Sequence, residues 1–331
     1  MRGRSMAEEL TRLGFRAAAV TKDEVDPATQ YSIVVKTCID PSELPGKTYY
    51  DVLDTWAVGE TVPHLLKWDG LLLPSRGAVD YARDKGFKGH CVVVPHHWDP
   101  RLPTMVAPAL DGSEPFRFGY MGTAACIHRK LQHTDQLLDH GMKVLDTESG
   151  TDVTDRVRQG EVLRNMSRAD AWDGLEIPFN VHVCVREEPE ATLGTNTKLS
   201  TAAALDHMAV VTPDSAYVDL LDLDYPYYVT DQDPQSVIQC LEQMEQDYQD
   251  QNVRFMLAQD AMHAVRDDTS LEACARRLTD RLPPESGDGV FWDQPMGIPV
   301  VAYMILIMSI IVFIGVGSGL LIHKLRLGSY T

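Results

Sequence analysis

The sequence predicts an α/β protein: two successive domains, each a parallel sheet covered by helices, followed by a single C-terminal transmembrane helix. Three observations lead there. Short runs of branched and aromatic residues alternate with helical stretches, which is the pattern of a parallel sheet wrapped by helices. The alternation occurs twice, on either side of turn-rich segments at Asp99–Pro103 and Asp111–Pro115. No charged residue lies between Met296 and Ile322. The 331 residues suit two domains of ordinary size. With 30 Lys and Arg against 48 Asp and Glu, the net charge of −18 excludes nucleic acid as a partner, because a phosphate backbone needs a basic face. A mean hydropathy of −0.18 excludes a polytopic membrane protein.

In the first domain (1–114), SIVVKT (32–37), KTYYDVLD (47–54), GLLLP (70–74) and HCVVVP (90–95) read as strands. Ser75 to Lys85 reads as the clearest helix between them. The second domain (115–282) opens with FRFGYMG (116–122), a strand ending in a glycine turn, and a basic helix start follows at His128-Arg129-Lys130. FNVHVCV (179–185) is a strand, TKLSTAAALD (197–206) is a helix dominated by alanine and leucine, and HMAVVTP (207–213) is the next strand. Residues 235–282 are helical. Pro283-Pro284 and Gly287-Asp288-Gly289 make 283–297 a hinge.

The expected membrane helix covers 298–323, with a short basic tail at 324–331. At about 1.5 Å per residue, its uncharged run spans the ~30 Å hydrocarbon core with some tilt. Pro299 suits a first helical turn. Gly315 and Gly319 form a Gly-x-x-x-Gly pair through which a partner helix could approach. Orientation is open. Glu285, Asp288 and Asp293 before the run and Lys324 and Arg326 after it place the tail inside and the body across the bilayer. The stretch Met1–Phe15 has no secretory apolar core, which favours a tail-anchored protein with a cytosolic body. The six cysteines are widely spaced, lack any C-x-x-C, and read as reduced core thiols.

The carboxyl ends of parallel strands are the usual ligand position in such folds. Gly122-Thr123 closes a strand with a turn whose amides can face an anion. Arg186 follows FNVHVCV, and Lys198 opens the next helix. A guanidinium and an ammonium beside a helix N-terminus suit a diphosphate leaving group. The alternative is that both are surface cations paired with Glu187, Glu188 or Glu190. Asp222-Leu223-Asp224 and Asp231-Gln232-Asp233 have D-x-D spacing, but their Pro-Tyr-rich setting reads as solvated turn acids. His96-His97-x-Asp99 offers suitable metal ligands without a convincing third, so no metal is expected.

The stretch 197–229, with Thr197-Lys198-Leu199, Ala202 and Asp224-Tyr225, resembles the nucleotide-sugar half of glycosyltransferases of the two-domain GT-B fold. FGYMGT (118–123) resembles the start of that half, and 48–99 (YYDVLDTW, WDGLLLPS, VVVPHHWD) resembles the acceptor-side half. The resemblance implies two Rossmann-like domains of GT-B type, with the N-terminal one shortened. It implies sugar transfer from a nucleotide-sugar donor to an acceptor hydroxyl, with no tightly bound cofactor and no obligatory metal. Gly122, Thr123, Arg186 and Lys198 would hold the donor diphosphate, and His96, His97 and Asp99 would face the acceptor. Many relatives place two glutamates eight positions apart. Leu193 and Thr201 stand there instead, so Thr201 replaces a carboxylate contact to the ribose. Two readings follow: a membrane-anchored glycosyltransferase, or a non-catalytic accessory subunit of a membrane complex docked through Gly315 and Gly319.

Overall fold

The computed structural model describes residues 2–35, 39–52, 62–102, 110, 113–124, 127, 134–160, 175–186, 194–230, 233–282, 308–316 and 319–327. In chain order the elements are α1 (Arg2–Arg12), β1 (Tyr31–Val35), β2 (Lys47–Asp51), α2 (Val62–Leu65), β3 (Gly70–Leu73), α3 (Arg76–Asp84), β4 (His90–Val93), β5 (Phe118–Gly122), α4 (Thr134–Asp139), β6 (Lys143–Asp146), β7 (Thr151–Asp152), α5 (Thr154–Arg158), β8 (Val181–Cys184), α6 (Thr197–Ala204), β9 (Met208–Val211), α7 (Ser215–Leu221), α8 (Pro234–Gln249), α9 (Val253–Asp268), α10 (Leu271–Arg281), β10 (Met308–Val316) and β11 (Gly319–Leu327). Contacts divide them into two compact units. The first gathers Met1–Leu73, Lys85–Val94 and Ala275–Thr331, and the second gathers Pro74–Asp84 and Pro95–Cys274.

The first unit is built on a sheet of order β11-β10-β1-β2-β3-β4, in which β10 to β4 run parallel. Every residue of β1 and β3 is buried, which is why these strands read as unbroken apolar runs. Gly70 is required where β3 passes β2, because a Cβ there would enter the Tyr49 ring. Helix α1 buries Met6, Ala7 and Leu10. It also buries Arg2, whose Nε donates to Asp51 Oδ2 at 2.7 Å and whose Nη2 reaches the Val94 carbonyl at 3.4 Å. Burial raises the Asp51 carboxyl above its usual range, and the Arg2 guanidinium opposes that rise.

Where a helix is expected over 298–323, the described part of that stretch forms strands. Met308–Val316 and Gly319–Leu327 are antiparallel strands, and β10 extends the sheet alongside β1 with Tyr31 opposite Ile310. The run is rich in Ile and Val, which fit a pleated surface as readily as an apolar helix. Pairing with β1 then satisfies its backbone groups. Gly315 and Gly319 consequently sit on opposite strands, with Gly315 facing Leu320 and Gly319 facing Val316. Among the described residues no helix is long and apolar enough to cross a membrane. The linker 283–297 and residues 298–307 lie outside the described residues, as does the helix start at His128-Arg129-Lys130.

The second unit is built on a sheet of order β7-β6-β5-β8-β9, parallel except for the short β7. Gly119 lets β5 pass the Phe179 ring, which a Cβ would strike. Helix α6 buries Leu199, Ser200 and Ala202 to Ala204, and its small side chains allow α9 to pack closely on it. Helix α3 belongs to this unit: Ser75 Oγ lies 2.9 Å from Ser215 Oγ, and Asp219 accepts the Arg76 amide. Because β5, β8 and β9 are parallel, Gly122, Arg186 and Thr212 all emerge at one edge of the sheet.

Candidate functional site

The carboxyl edge of the second unit's sheet collects the residues that the sequence marks for donor binding. β5 ends at Gly122, whose carbonyl accepts the Thr147 amide at 3.1 Å. Thr123 follows, half-buried. The next amide, Ala124, does not point at open space. It donates at 2.8 Å to Asp146, a buried carboxylate at the end of β6 that also accepts the Ser149 amide at 2.8 Å. A carboxylate therefore stands where an anion was expected to meet this turn.

Arg186 leaves β8 and turns inward. Its amide donates to Thr212 Oγ1 at 3.2 Å, its Nη1 lies 3.1 Å from Asp214 Oδ2, and its Nη2 donates to the Thr195 carbonyl. The guanidinium carbon sits 4.4 Å from the centre of the Tyr217 ring. The Asp214 side chain has no exposed surface. It also caps α7 by accepting the Tyr217 amide at 2.9 Å. The alternative partners Glu187, Glu188 and Glu190 lie outside the described residues.

Lys198 stands in the first turn of α6 with its ammonium 3.6 Å from the centre of the Tyr120 ring, a cation–π contact with a β5 residue. Thr201 is three residues on, half-buried on the same helix face. Burial pushes the Cys184 thiol up to about 11, while Lys198 and Arg186 both pull it down. Both cations are thus close enough to act on the end of β8. The structure brings Gly122, Arg186 and Lys198 together at one strand edge.

His96, His97 and Asp99 follow Pro95 in the same unit. The His96 amide donates to Asn196 Oδ1 at 2.6 Å, so the segment is tied to the start of α6. His96 Nδ1 lies 2.9 Å from the His97 carbonyl, and His97 Nδ1 lies 2.8 Å from the Trp98 carbonyl. A carbonyl can only accept, so each ring carries a proton on Nδ1, and in the neutral ring the lone pair is then on Nε2. Asp99 is engaged by Arg101 through both carboxylate oxygens, at 3.0 and 2.7 Å. Burial raises its pKa, but the Arg101 bonds outweigh that and hold it below the usual range. It is an ionised partner of Arg101.

Four residues of this arrangement escape the sequence reading: Tyr120, Asp146, Asn196 and Asp214. Asp214 carried a readable signal, since Asp before Ser-Ala-Tyr-Val is an N-cap pattern. The other three act through contacts distant in sequence. Asp222 caps the end of α7 with φ of 59°, which fits a turn acid, and Asp231 and Gln232 lie outside the described residues. Among the described residues no group of three His, Cys, Asp or Glu could hold a metal ion.

No protein-family model matches the chain, and no curated protein matches it. Among solved structures it is similar to a glycosyltransferase from Rickettsia africae ESF-5, at 13% identity and a TM-score of 0.46, covering 75% of each chain. It is also similar to a trehalose-6-phosphate synthase, at 9% identity and a TM-score of 0.49, covering 78% of this chain and 75% of that one.

Proposed function

We propose that the protein is a glycosyltransferase that moves a sugar from a nucleotide-sugar donor to an acceptor hydroxyl, and that its C-terminal apolar run attaches it to a membrane. The observation that carries the reading is Lys198, an ammonium at the start of α6 beside the carboxyl end of β5. Negative charge develops on the departing nucleotide, and a fixed cation with a helix N-terminus favours that charge more as it grows. The motif resemblance at 197–229 and 48–99 supports the same assignment. On the acceptor side, Nε2 of His96 is the basic atom suited to orient a hydroxyl and take its proton, with the buried His97 behind it. Thr201 offers the ribose a hydroxyl in place of a carboxylate.

The second reading, a non-catalytic accessory subunit of a membrane complex, is favoured by two observations. Arg186, half-buried, is held against the buried Asp214, and Asp146 occupies the Ala124 amide after the glycine turn. Both consume groups that a diphosphate would otherwise engage.

Thermal denaturation of the full chain with a panel of nucleoside diphosphates separates the readings. A ligand at 100 times its Kd adds about 2.7 kcal/mol, which raises the midpoint by several degrees. The transferase reading expects such a rise with at least one diphosphate and its loss in Lys198→Ala. No rise with any member of the panel leaves the accessory-subunit reading.

A further inference from the structure

We infer that Asn196 is a positioning residue that couples His96 and His97 to α6, so that an anion held at Lys198 is felt at the two imidazoles. The identity of that anion rests on the transferase reading, whereas the coupling does not. Asn196 and Ser200 are fully buried. The Asn196 side chain accepts the His96 amide at 2.6 Å and donates to the His96 carbonyl at 2.9 Å. One side-chain amide therefore satisfies both main-chain groups of His96, as a neighbouring strand would. Ser200 Oγ adds a bond to the same carbonyl at 3.1 Å, and its amide returns to the Asn196 carbonyl at 2.9 Å. Residues two before and two after Lys198 thus grip the main chain of His96.

The grip also sets the rings. Each imidazole is oriented by an Nδ1 bond to the main chain of the next residue, at 2.9 Å for His96 and 2.8 Å for His97. The far end of the segment is held separately, with the Trp98 amide on the Thr269 carbonyl at 3.1 Å and Trp98 Nε1 on the Arg266 carbonyl at 2.9 Å. Asn196, with Ser200 beside it, therefore joins the histidines to the helix of Lys198. Its residue type is dictated by the task. Only a carboxamide presents a donor and an acceptor at this reach. Aspartate can accept from the His96 amide but cannot donate to its carbonyl, and alanine can do neither.

The test uses the full chain labelled with 13C at histidine Cε1, with the two resonances assigned by His96→Gln and His97→Gln. Inorganic pyrophosphate, the part common to every nucleoside diphosphate, serves as the probe, and its binding is followed by calorimetry. In the native chain, pyrophosphate is expected to shift both resonances and the pH at which they titrate. In Asn196→Ala, pyrophosphate still binds, both ligand-free resonances move, and the response to the probe is lost. Asn196→Asp retains part of the response. Native-like His96 and His97 spectra and titrations in Asn196→Ala overturn the inference, whether or not pyrophosphate binds. Failure of pyrophosphate to bind the native chain counts against the transferase reading alone, and the ligand-free spectra then decide the coupling. Should Asn196→Ala not fold, Asn196→Asp and Ser200→Ala take its place. Unchanged imidazole spectra in both overturn the inference, and displaced ones support it.

Discussion

Arg186 has the most to reveal about whether the site works. Its guanidinium lies 3.1 Å from a carboxylate with no exposed surface and 4.4 Å from the Tyr217 ring. Removing one member of a buried pair leaves an uncompensated charge, at a cost of about 3–5 kcal/mol, whereas loss of an N-cap alone costs about 1 kcal/mol. Asp214 does both jobs, and two substitutions separate them. Asp214→Asn keeps an acceptor for the Tyr217 amide and loses the charge, while Asp214→Ala loses both. Urea denaturation is expected to rank the native chain above Asp214→Asn, and Asp214→Asn above Asp214→Ala by about 1 kcal/mol. A cost below about 1 kcal/mol for Asp214→Asn means that Arg186 is not bound to this partner, which returns it to the donor site. The cations were legible in the sequence because basic residues that follow apolar strands are informative by type and place. Their partners were not legible. Asp146, Tyr120 and Asn196 look like any other acid, aromatic or amide until the sheet brings them within 4 Å of the turn, the ammonium and the His96 main chain.

At the scale of elements, a strand buried on both faces announces itself as a continuous apolar run, which is why β1, β3, β8 and β9 are legible, whereas β2 and β4, exposed at Lys47 and His90, are legible from their aromatic and branched residues. β6 does not stand out because only Val144 and Leu145 are apolar, between Lys143 and Asp146, and α1 hides its buried face among Arg, Glu and Thr. The C-terminal run is ambiguous for a physical reason: periodicity cannot separate a uniformly apolar strand from a uniformly apolar helix. In the structure it forms β10 and β11, which leaves β11 as a nine-residue sheet edge. Long apolar edges invite further pairing. In hydrocarbon a single spanning segment must satisfy its backbone groups internally, so a single-pass anchor requires the same run to become a helix. Infrared spectra of the full chain with 13C-carbonyl isoleucine and valine, in buffer and in phosphatidylcholine vesicles, are expected to show a gain of helical amide I intensity at the expense of strand intensity in vesicles, with the protein retained after alkaline extraction. Identical helix and strand intensities in both media, with release at alkaline pH, remove the anchor from the proposal.

Across the whole molecule, acid pulls stability in two directions over different ranges. The net charge of −18 and the pI near 4.9 mean that self-repulsion among carboxylates eases as they protonate, which happens mostly below about pH 5. Even Asp40, held at about 2 by Ser42 and Lys67, titrates only below that point. Above it the histidines decide. His182 is fully buried, its Nε2 3.1 Å from His207 Nδ1. Burial first, then His207 and Lys198, hold its pKa well below the usual value of 6.5. The folded state therefore keeps His182 neutral while the unfolded chain takes up a proton below pH 6.5, so stability falls as pH falls through that value. His64, also lowered by burial, adds to this fall in the same direction. Guanidinium denaturation at half-unit pH intervals is expected to show this slope in the native chain. In His182→Gln it should be visibly flatter, whatever that substitution does to stability at pH 7. An equal slope in both proteins means that His182 is protonated in the folded state. A positive charge would then lie beside Lys198 at the carboxyl edge of the second sheet, adding to the attraction of that edge for a diphosphate.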